Sequence, residues 1–141
     1  MLTTHLVTLL QVAGLLHLGL VWAGASMPRA VNLGAHLATL PEFIRRLVWV
    51  YYTFIGFCLI GFGSFTFFFA DILASGVPLA RAVCGFLCGF WTIRFLVAAF
   101  VFDLRPYLTT PWRRAGYHTM NMVFALLPLI YAAAALKGVH L

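Results

Sequence analysis

The stretch that decides the fold is "LARAVCGFLCGFWTIRFLVAAFVF", residues 79–102, in which Arg81 and Arg94 carry the only charges. Crossing the hydrocarbon of a bilayer as a helix takes about 20 predominantly apolar residues, and this run is long enough. It shows none of the alternation between apolar and polar residues that a membrane β-strand needs. We therefore predict a transmembrane helix over residues 79–102.

Three more runs of the same kind follow from the sequence, over residues 6–27, 47–73 and 117–136. Hydrophobic residues make up 64% of the chain and charged residues only 9%, whereas a soluble domain has about 25% charged residues. The sequence thus predicts a single all-α domain over residues 1–141, an integral membrane bundle of four transmembrane helices. The lipid bilayer is its expected partner. The net charge of +6 does not predict nucleic-acid binding, because the basic residues lie between the apolar runs and form no basic face.

Capping patterns predict where several helices begin and end. Thr39 followed three residues later by Glu42 has the form of a capping box, which places the start of the second helix there. Thr110 precedes a proline, the pattern of an N-cap with proline in the first helical turn. Pro78 is expected to open the third helix, and Gly138 to stop the fourth.

Basic residues predict the orientation in the membrane. The two loops that join spans one to two and three to four carry six arginines, whereas the opposite side has only Arg81 and Lys137. The six are Arg29, Arg45, Arg46, Arg105, Arg113 and Arg114. By the positive-inside rule both basic loops are cytoplasmic and both termini face outward, as in a multi-pass inner-membrane protein. The first run lacks a positive n-region, so we expect a retained span and not a cleaved signal peptide.

Arg94 is the main candidate for a functional residue, because a central arginine costs about 2.5–3.5 kcal/mol even on the mild insertion scale. His17 lies at a similar predicted depth in the first span. No aspartate is expected at that depth, because Asp71 lies at the outer end of the second span and Asp103 follows the third span. An arginine without an acidic partner suits an anionic headgroup, a carboxylate or a quinone oxygen.

The predicted ligand-binding site is a polar cluster in the cytoplasmic half of the bundle, formed by Arg94, His17, His118 and Asn121. It indicates an accessory subunit, or a component that binds a lipophilic or anionic ligand at an intramembrane site centred on Arg94. The alternative for the site is a structural arginine, hydrogen-bonded to backbone carbonyls, Asn121 and water. The alternative for the function is a small membrane enzyme or redox protein that uses the same cavity.

No catalytic or metal-binding motif supports the enzyme interpretation. The sequence has no nucleophile triad, no phosphate-binding G-x-x-x-x-G-K and no metal-ligand spacing, so catalytic residues stay unassigned and no metal is predicted. No cofactor is firmly implied, although haem and quinone are both considered. A haem with two histidine ligands needs them at nearly equal depth, and His118 lies nearer the interface than His17.

The third span carries a G-x-x-x-G pattern at Gly85 and Gly89. At 100° per residue, Thr92 lies on the same face as the glycines, and Arg94 lies on nearly the opposite face. One helix cannot turn both faces toward its own bundle. If Arg94 faces the core, the face of Gly85, Gly89 and Thr92 is available for a homo-oligomer or a larger membrane complex. The alternative is ordinary close packing, because small-residue patterns are common in apolar helices.

Three stretches carry a resemblance to known proteins: "MPRAVN" at 27–32, "RRLVWVYYTFIGFCLIGFGSF" at 45–65, and "PLARAVCGFLCGFWTIRFLVAAFVFDLRPYL" at 78–108. In overall pattern they resemble a group of small bacterial four-helix membrane proteins. The resemblance implies a bacterial inner-membrane protein, and it implies no activity.

Overall fold

The computed structural model describes residues 2–137, and that range is all-helical, with 87% helix and no strand. Four long helices form the bundle: α1 (Leu2–Ala30), α3 (Glu42–Phe68), α5 (Pro78–Phe100) and α6 (Pro111–Leu136). Between them lie the short helices α2 (Leu33–Ala38) and α4 (Ala70–Leu73) and a 3-10 turn at Arg105–Tyr107. The predicted all-α fold class is confirmed, and all four long helices are long and apolar enough to cross a membrane.

Two of the predicted helix starts are confirmed. Pro78 is the first residue of α5, where its missing N–H costs no hydrogen bond. At the start of α6, the Thr110 side-chain oxygen accepts a hydrogen bond from the backbone N–H of Arg113 at 3.3 Å. At the other end α6 stops at Leu136, and the predicted stop residue Gly138 lies outside the described residues.

The predicted capping box at Thr39 is wrong. The Thr39 hydroxyl donates a hydrogen bond back to the His36 carbonyl at 2.8 Å, and α3 begins at Glu42 without a side-chain cap. A box starting at Thr39 would make Leu40 the first helical residue. A residue that precedes proline, as Leu40 precedes Pro41, is disfavoured in the helical region, so the helix starts after the proline.

The connections differ from simple loops at two places. Helix α1 continues through Pro28 to Ala30, and Asn32 with φ 51° then turns the chain into α2. Asparagine is one of the few residues other than glycine that adopt this left-handed conformation readily. Near the other end of the bundle, Phe69 interrupts the predicted span 47–73, and its last part forms α4.

The bundle is built from two tight helix pairs, α1 with α3 and α5 with α6, which are joined mainly through contact between α1 and α6. The first pair approaches most closely at Gly14 and Gly63. A Cβ built on Gly63 would lie 2.7 Å from the His17 Cβ, so only glycine fits there without movement. On the other side of α3, the Phe62 ring packs edge-on against the rings of Phe86 and Phe90 of α5.

Consecutive long helices run in opposite directions, which gives the bundle two distinct ends. At one end the Tyr52 hydroxyl donates to the Gly24 carbonyl, and this end carries the connections 31–41 and 101–110; we call it the loop end. At the other, the termini end, Arg81 Nε donates to the Ala135 carbonyl at 3.0 Å. Lys137 Nζ there donates to the Ala74 carbonyl.

Candidate functional site

Four polar side chains, one from each long helix, meet in the middle of the bundle: His17, Thr66, Trp91 and Tyr131, all at most 1% exposed. The Trp91 indole N–H donates to His17 Nε2 at 3.2 Å. Thr66 Oγ1 and the Tyr131 hydroxyl share a hydrogen bond of 2.7 Å. The His17 ring also lies edge-on to Trp91 and to Tyr131, with ring centroids 5.0 and 6.3 Å apart. We call this set the central polar layer.

The hydrogen bonds of His17 assign its tautomer. A carbonyl oxygen only accepts, so the 2.7 Å contact between Nδ1 and the Ala13 carbonyl places the proton on Nδ1. The indole N–H only donates, so Nε2 is the acceptor and carries no proton. Both ring nitrogens of His17 are therefore occupied by protein groups in this arrangement.

Arg94 lies next to the central polar layer, one helical turn closer to the loop end than Trp91. Its guanidinium carbon lies 4.9 Å from the centre of the Phe124 ring and 5.6 Å from the centre of the Phe102 ring. Phe124 in turn stacks on Trp91, with centroids 5.8 Å apart and an angle of 23° between the planes. Two aromatic faces thus hold the guanidinium, an arrangement that stabilises a cation in an apolar setting.

One terminal nitrogen of Arg94, Nη1, is buried and has no hydrogen-bond partner among residues 2–137. It is the one buried side-chain nitrogen or oxygen in the described range without such a partner. The rings of Phe102 and Phe124 accept no conventional hydrogen bond, so the cation–π contacts leave this N–H unsatisfied. A buried donor without an acceptor is unfavourable, which makes Nη1 a candidate contact for a group from outside the chain.

The other predicted members of the cluster are placed differently. His17 belongs to the central polar layer and has no hydrogen bond to Arg94. Trp91 donates to His17, and Phe124, which stacks on Trp91, lies next to the Arg94 guanidinium. Asn121 is half-buried on α6, and His118 is exposed with its ring edge-on to Tyr117. No hydrogen bond within residues 2–137 connects Arg94 to any of the three.

The face of Gly85, Gly89 and Thr92 points away from the bundle. All three residues are exposed, and a Cβ built on either glycine would meet nothing within 4 Å. Leu87 and Ala98, which the sequence places on the opposite face with Arg94, are buried. Within α5, the side of Leu87 and Ala98 is therefore turned toward the bundle, and the glycine side is turned away from it.

The sequence interpretation missed the other members of the central polar layer. Trp91, Thr66 and Tyr131 stand in apolar runs, where an aromatic or threonine is usually a packing residue. A signal was available, because the Thr66 hydroxyl, the Tyr131 hydroxyl and the Trp91 indole N–H all need hydrogen-bond partners when buried. Spacing along one helix cannot show which residues of other helices provide them.

A polar hollow lies at the loop end, and Arg94 is not one of the residues that line it. It is lined by the chain from Ala99 to Arg105 together with Leu108 and Tyr117. One of these lining residues, Phe102, also contacts the Arg94 guanidinium.

Within residues 2–137 no group of three or more His, Cys, Asp or Glu side chains is placed to hold a metal ion. No protein-family model, curated protein or solved structure matches the chain.

Proposed function

We propose that this chain is a small polytopic protein of a bacterial inner membrane, which it crosses with α1, α3, α5 and α6. The lateral surface of the bundle supports this. Large apolar side chains are exposed along all four helices, among them Leu15, Phe54, Ile93 and Leu129. Apolar surface on this scale is not tolerated in water, whereas lipid chains solvate it. The helix α3 has the least buried span of the four, which suits a helix at the lipid-facing edge.

The proposed role is that of an accessory component that binds an anionic or polar oxygen of a lipophilic ligand at Arg94. The observation that carries this proposal is the buried Nη1, which has no acceptor in the part of the chain that the structure describes. Phe102 and Phe124 stabilise the positive charge but leave this donor free. A ligand oxygen would satisfy it in surroundings of low dielectric constant, where a charge-assisted hydrogen bond is strong.

The proposal includes assembly with another chain through the face of Gly85, Gly89 and Thr92. The open space in front of both glycines supports this, because a partner helix can approach the backbone there. The arginine face of the same helix is already turned toward its own bundle, so the two surfaces do not compete.

The test of the ligand proposal is the content of small molecules that co-purify with the protein in mild detergent. Mass spectrometry of the extract should show a lipophilic compound with an anionic or polar oxygen in the wild type. Arg94→Met removes the charge at similar length and should lower its amount strongly. Arg94→Lys keeps the charge but loses the planar guanidinium, which can donate to two oxygens at once. We therefore expect an intermediate decrease in the amount of bound ligand.

Arg29→Met is the matched control, because it removes an exposed arginine from the loop end and changes the net charge equally. It should leave the ligand content unchanged. If Arg94→Met retains as much of every co-purifying compound as the wild type, Arg94 binds none of them and the proposal is refuted.

A further inference from the structure

We infer that the group bound at Arg94 is the phosphate of an anionic phospholipid from the leaflet that borders the loop end. This inference rests on the proposed function and specifies its ligand. Three observations carry it: the proximity of the Arg94 guanidinium to Phe102, the balance of charge at the loop end, and the mixed polar and apolar surface next to Phe102.

Arg94 has its guanidinium next to a residue of the loop end. Its helix position lies six residues before Phe100, the last residue of α5, which corresponds to about 9 Å along the axis. The guanidinium nevertheless contacts the ring of Phe102, beyond the end of that helix. The guanidinium thus lies between Phe124, which stacks on Trp91 of the central polar layer, and Phe102, which lines the polar hollow at the loop end. A headgroup that enters from the loop end would therefore meet Arg94 beside Phe102.

The loop end carries an excess of positive charge. Six arginines lie there, together with only two acidic residues, Glu42 and Asp103. Both acids are engaged locally: Glu42 pairs with Arg46, and Asp103 accepts from the Arg105 backbone N–H at 3.0 Å. Neither acid neutralises Arg94, so the field at this end favours an anion. Clustered basic residues attract anionic lipid headgroups by about 1 kcal/mol each near a membrane surface.

The surface around Phe102 suits an amphiphile better than a free ion. On one side is the polar hollow, lined by the chain from Ala99 to Arg105. Next to it, Phe100 and Val101 expose 83% and 67% of their surface and are available to acyl chains. A phospholipid whose phosphate meets Arg94 would place its glycerol in the hollow and its chains on this apolar edge. The planar guanidinium matches two phosphate oxygens at once.

The experiment is a titration of the purified, delipidated protein in mild detergent, read by native mass spectrometry. The probes are phosphatidylglycerol, phosphatidylcholine of the same acyl chains, decanoate and inorganic phosphate. We expect one phosphatidylglycerol to bind about tenfold more tightly than phosphatidylcholine. Both lipids carry the phosphate, but the choline ammonium makes phosphatidylcholine neutral overall, so only phosphatidylglycerol is attracted by the positive charge around the site. Arg94→Met removes the cation proposed to meet the phosphate and should lower the affinity for phosphatidylglycerol most. Arg29→Met removes one of the six arginines of the loop end and should lower it only in part.

The outcomes separate this inference from the proposed function. Arg94-dependent binding of decanoate, without a preference for phosphatidylglycerol, would overturn the phospholipid inference and leave the proposed anion site in place. Inorganic phosphate that displaces the lipid from the wild type, but has no effect on Arg94→Met, would identify a free-anion site and also overturn it. If each of the four probes binds to the wild type and to Arg94→Met with equal affinity, both the phospholipid inference and the proposed function are refuted.

Discussion

Among single residues, His17 and Arg94 show two different ways in which a polar group is held inside this bundle. His17 is completely buried, and protein groups on α1 and α5 satisfy both of its ring nitrogens. Arg94 is stabilised by aromatic faces but keeps one buried nitrogen without an acceptor among residues 2–137. We therefore assign a structural role to His17, and we place the proposed ligand contact at Arg94.

The hydrogen bond between Trp91 and His17 gives a prediction for stability. Trp91→Phe removes the indole N–H and should lower the free energy of unfolding in detergent, with about 0.5–2 kcal/mol due to the lost bond. A double-mutant cycle with His17→Ala separates this part from the packing change. Trp112→Phe, at a side chain that is 85% exposed, should have little effect. A coupling energy near zero between Trp91 and His17 would contradict the bond.

Between elements, the closest approach is the crossing of α1 and α3. A Cβ on Gly14 would lie 2.8 Å from the Gly63 carbonyl oxygen and from the Phe67 Cβ. This proximity places His17 of α1 directly against the backbone of α3. In a membrane, where lipid and side chains are equally apolar, such backbone approach is a main source of helix association.

The crossing predicts that Gly63→Ala destabilises the bundle by about 1–3 kcal/mol, the usual cost of overpacking a tight site. The added methyl would meet the His17 Cβ at 2.7 Å and the Gly14 carbonyl oxygen at 3.0 Å. Gly61→Ala, two residues away on the same helix, meets nothing within 4 Å and is the matched control. Thermal unfolding in detergent measures both variants. Equal melting temperatures would show that α1 and α3 do not cross here.

The outward face of α5 gives a prediction about assembly. If this face contacts another chain, Gly89→Leu should weaken the association, because a large side chain keeps the partner backbone away. The measurement is the oligomeric mass in mild detergent and in native lipid. Gly19→Leu, on an equally open position of α1, serves as the control. A wild type that is monomeric under both conditions rules out self-association through this face.

Over the whole molecule, charge is distributed unevenly between the two ends of the bundle. The termini end has Arg81 and Lys137, and both donate to backbone carbonyls at helix ends, those of Ala135 and Ala74. The basic residues of the loop end are more numerous and mostly exposed. This asymmetry is the basis of the proposed orientation, with the loop end in the cytoplasm.

Reporter fusions test the orientation. An alkaline phosphatase fused after Leu141 should be active, and a fluorescent protein that requires the cytoplasm should be dim at the same position. Fusions within the connection 101–110 should give the opposite result. A bright fluorescent fusion after Leu141, with inactive phosphatase, would reverse the proposed topology and move the lipid contact of Arg94 to the other leaflet.

The sequence by itself determined the class of fold and the approximate helices. Long apolar runs specify helices through composition alone, and local patterns such as Thr110 and Pro78 specify where two of them begin. The periodicity of α5 also separated its arginine face from its glycine face, because helical geometry fixes which residues share a side. The start of α3 was missed because two local rules competed, and the restriction before Pro41 outweighed the capping pattern.

Only the tertiary structure decided which residues meet. The sequence predicted that His17 and Arg94 lie at a similar depth in the membrane. Two residues at the same depth need not be in contact, because depth does not specify how each helix is rotated. The rotation of each helix brought Trp91 to His17 and Tyr131 to Thr66. That rotation depends on how all four helices pack together, with the Gly14 and Gly63 crossing as one fixed point. The same packing placed the Arg94 guanidinium between two phenylalanine rings, and one of its nitrogens has no acceptor within the described range of the chain.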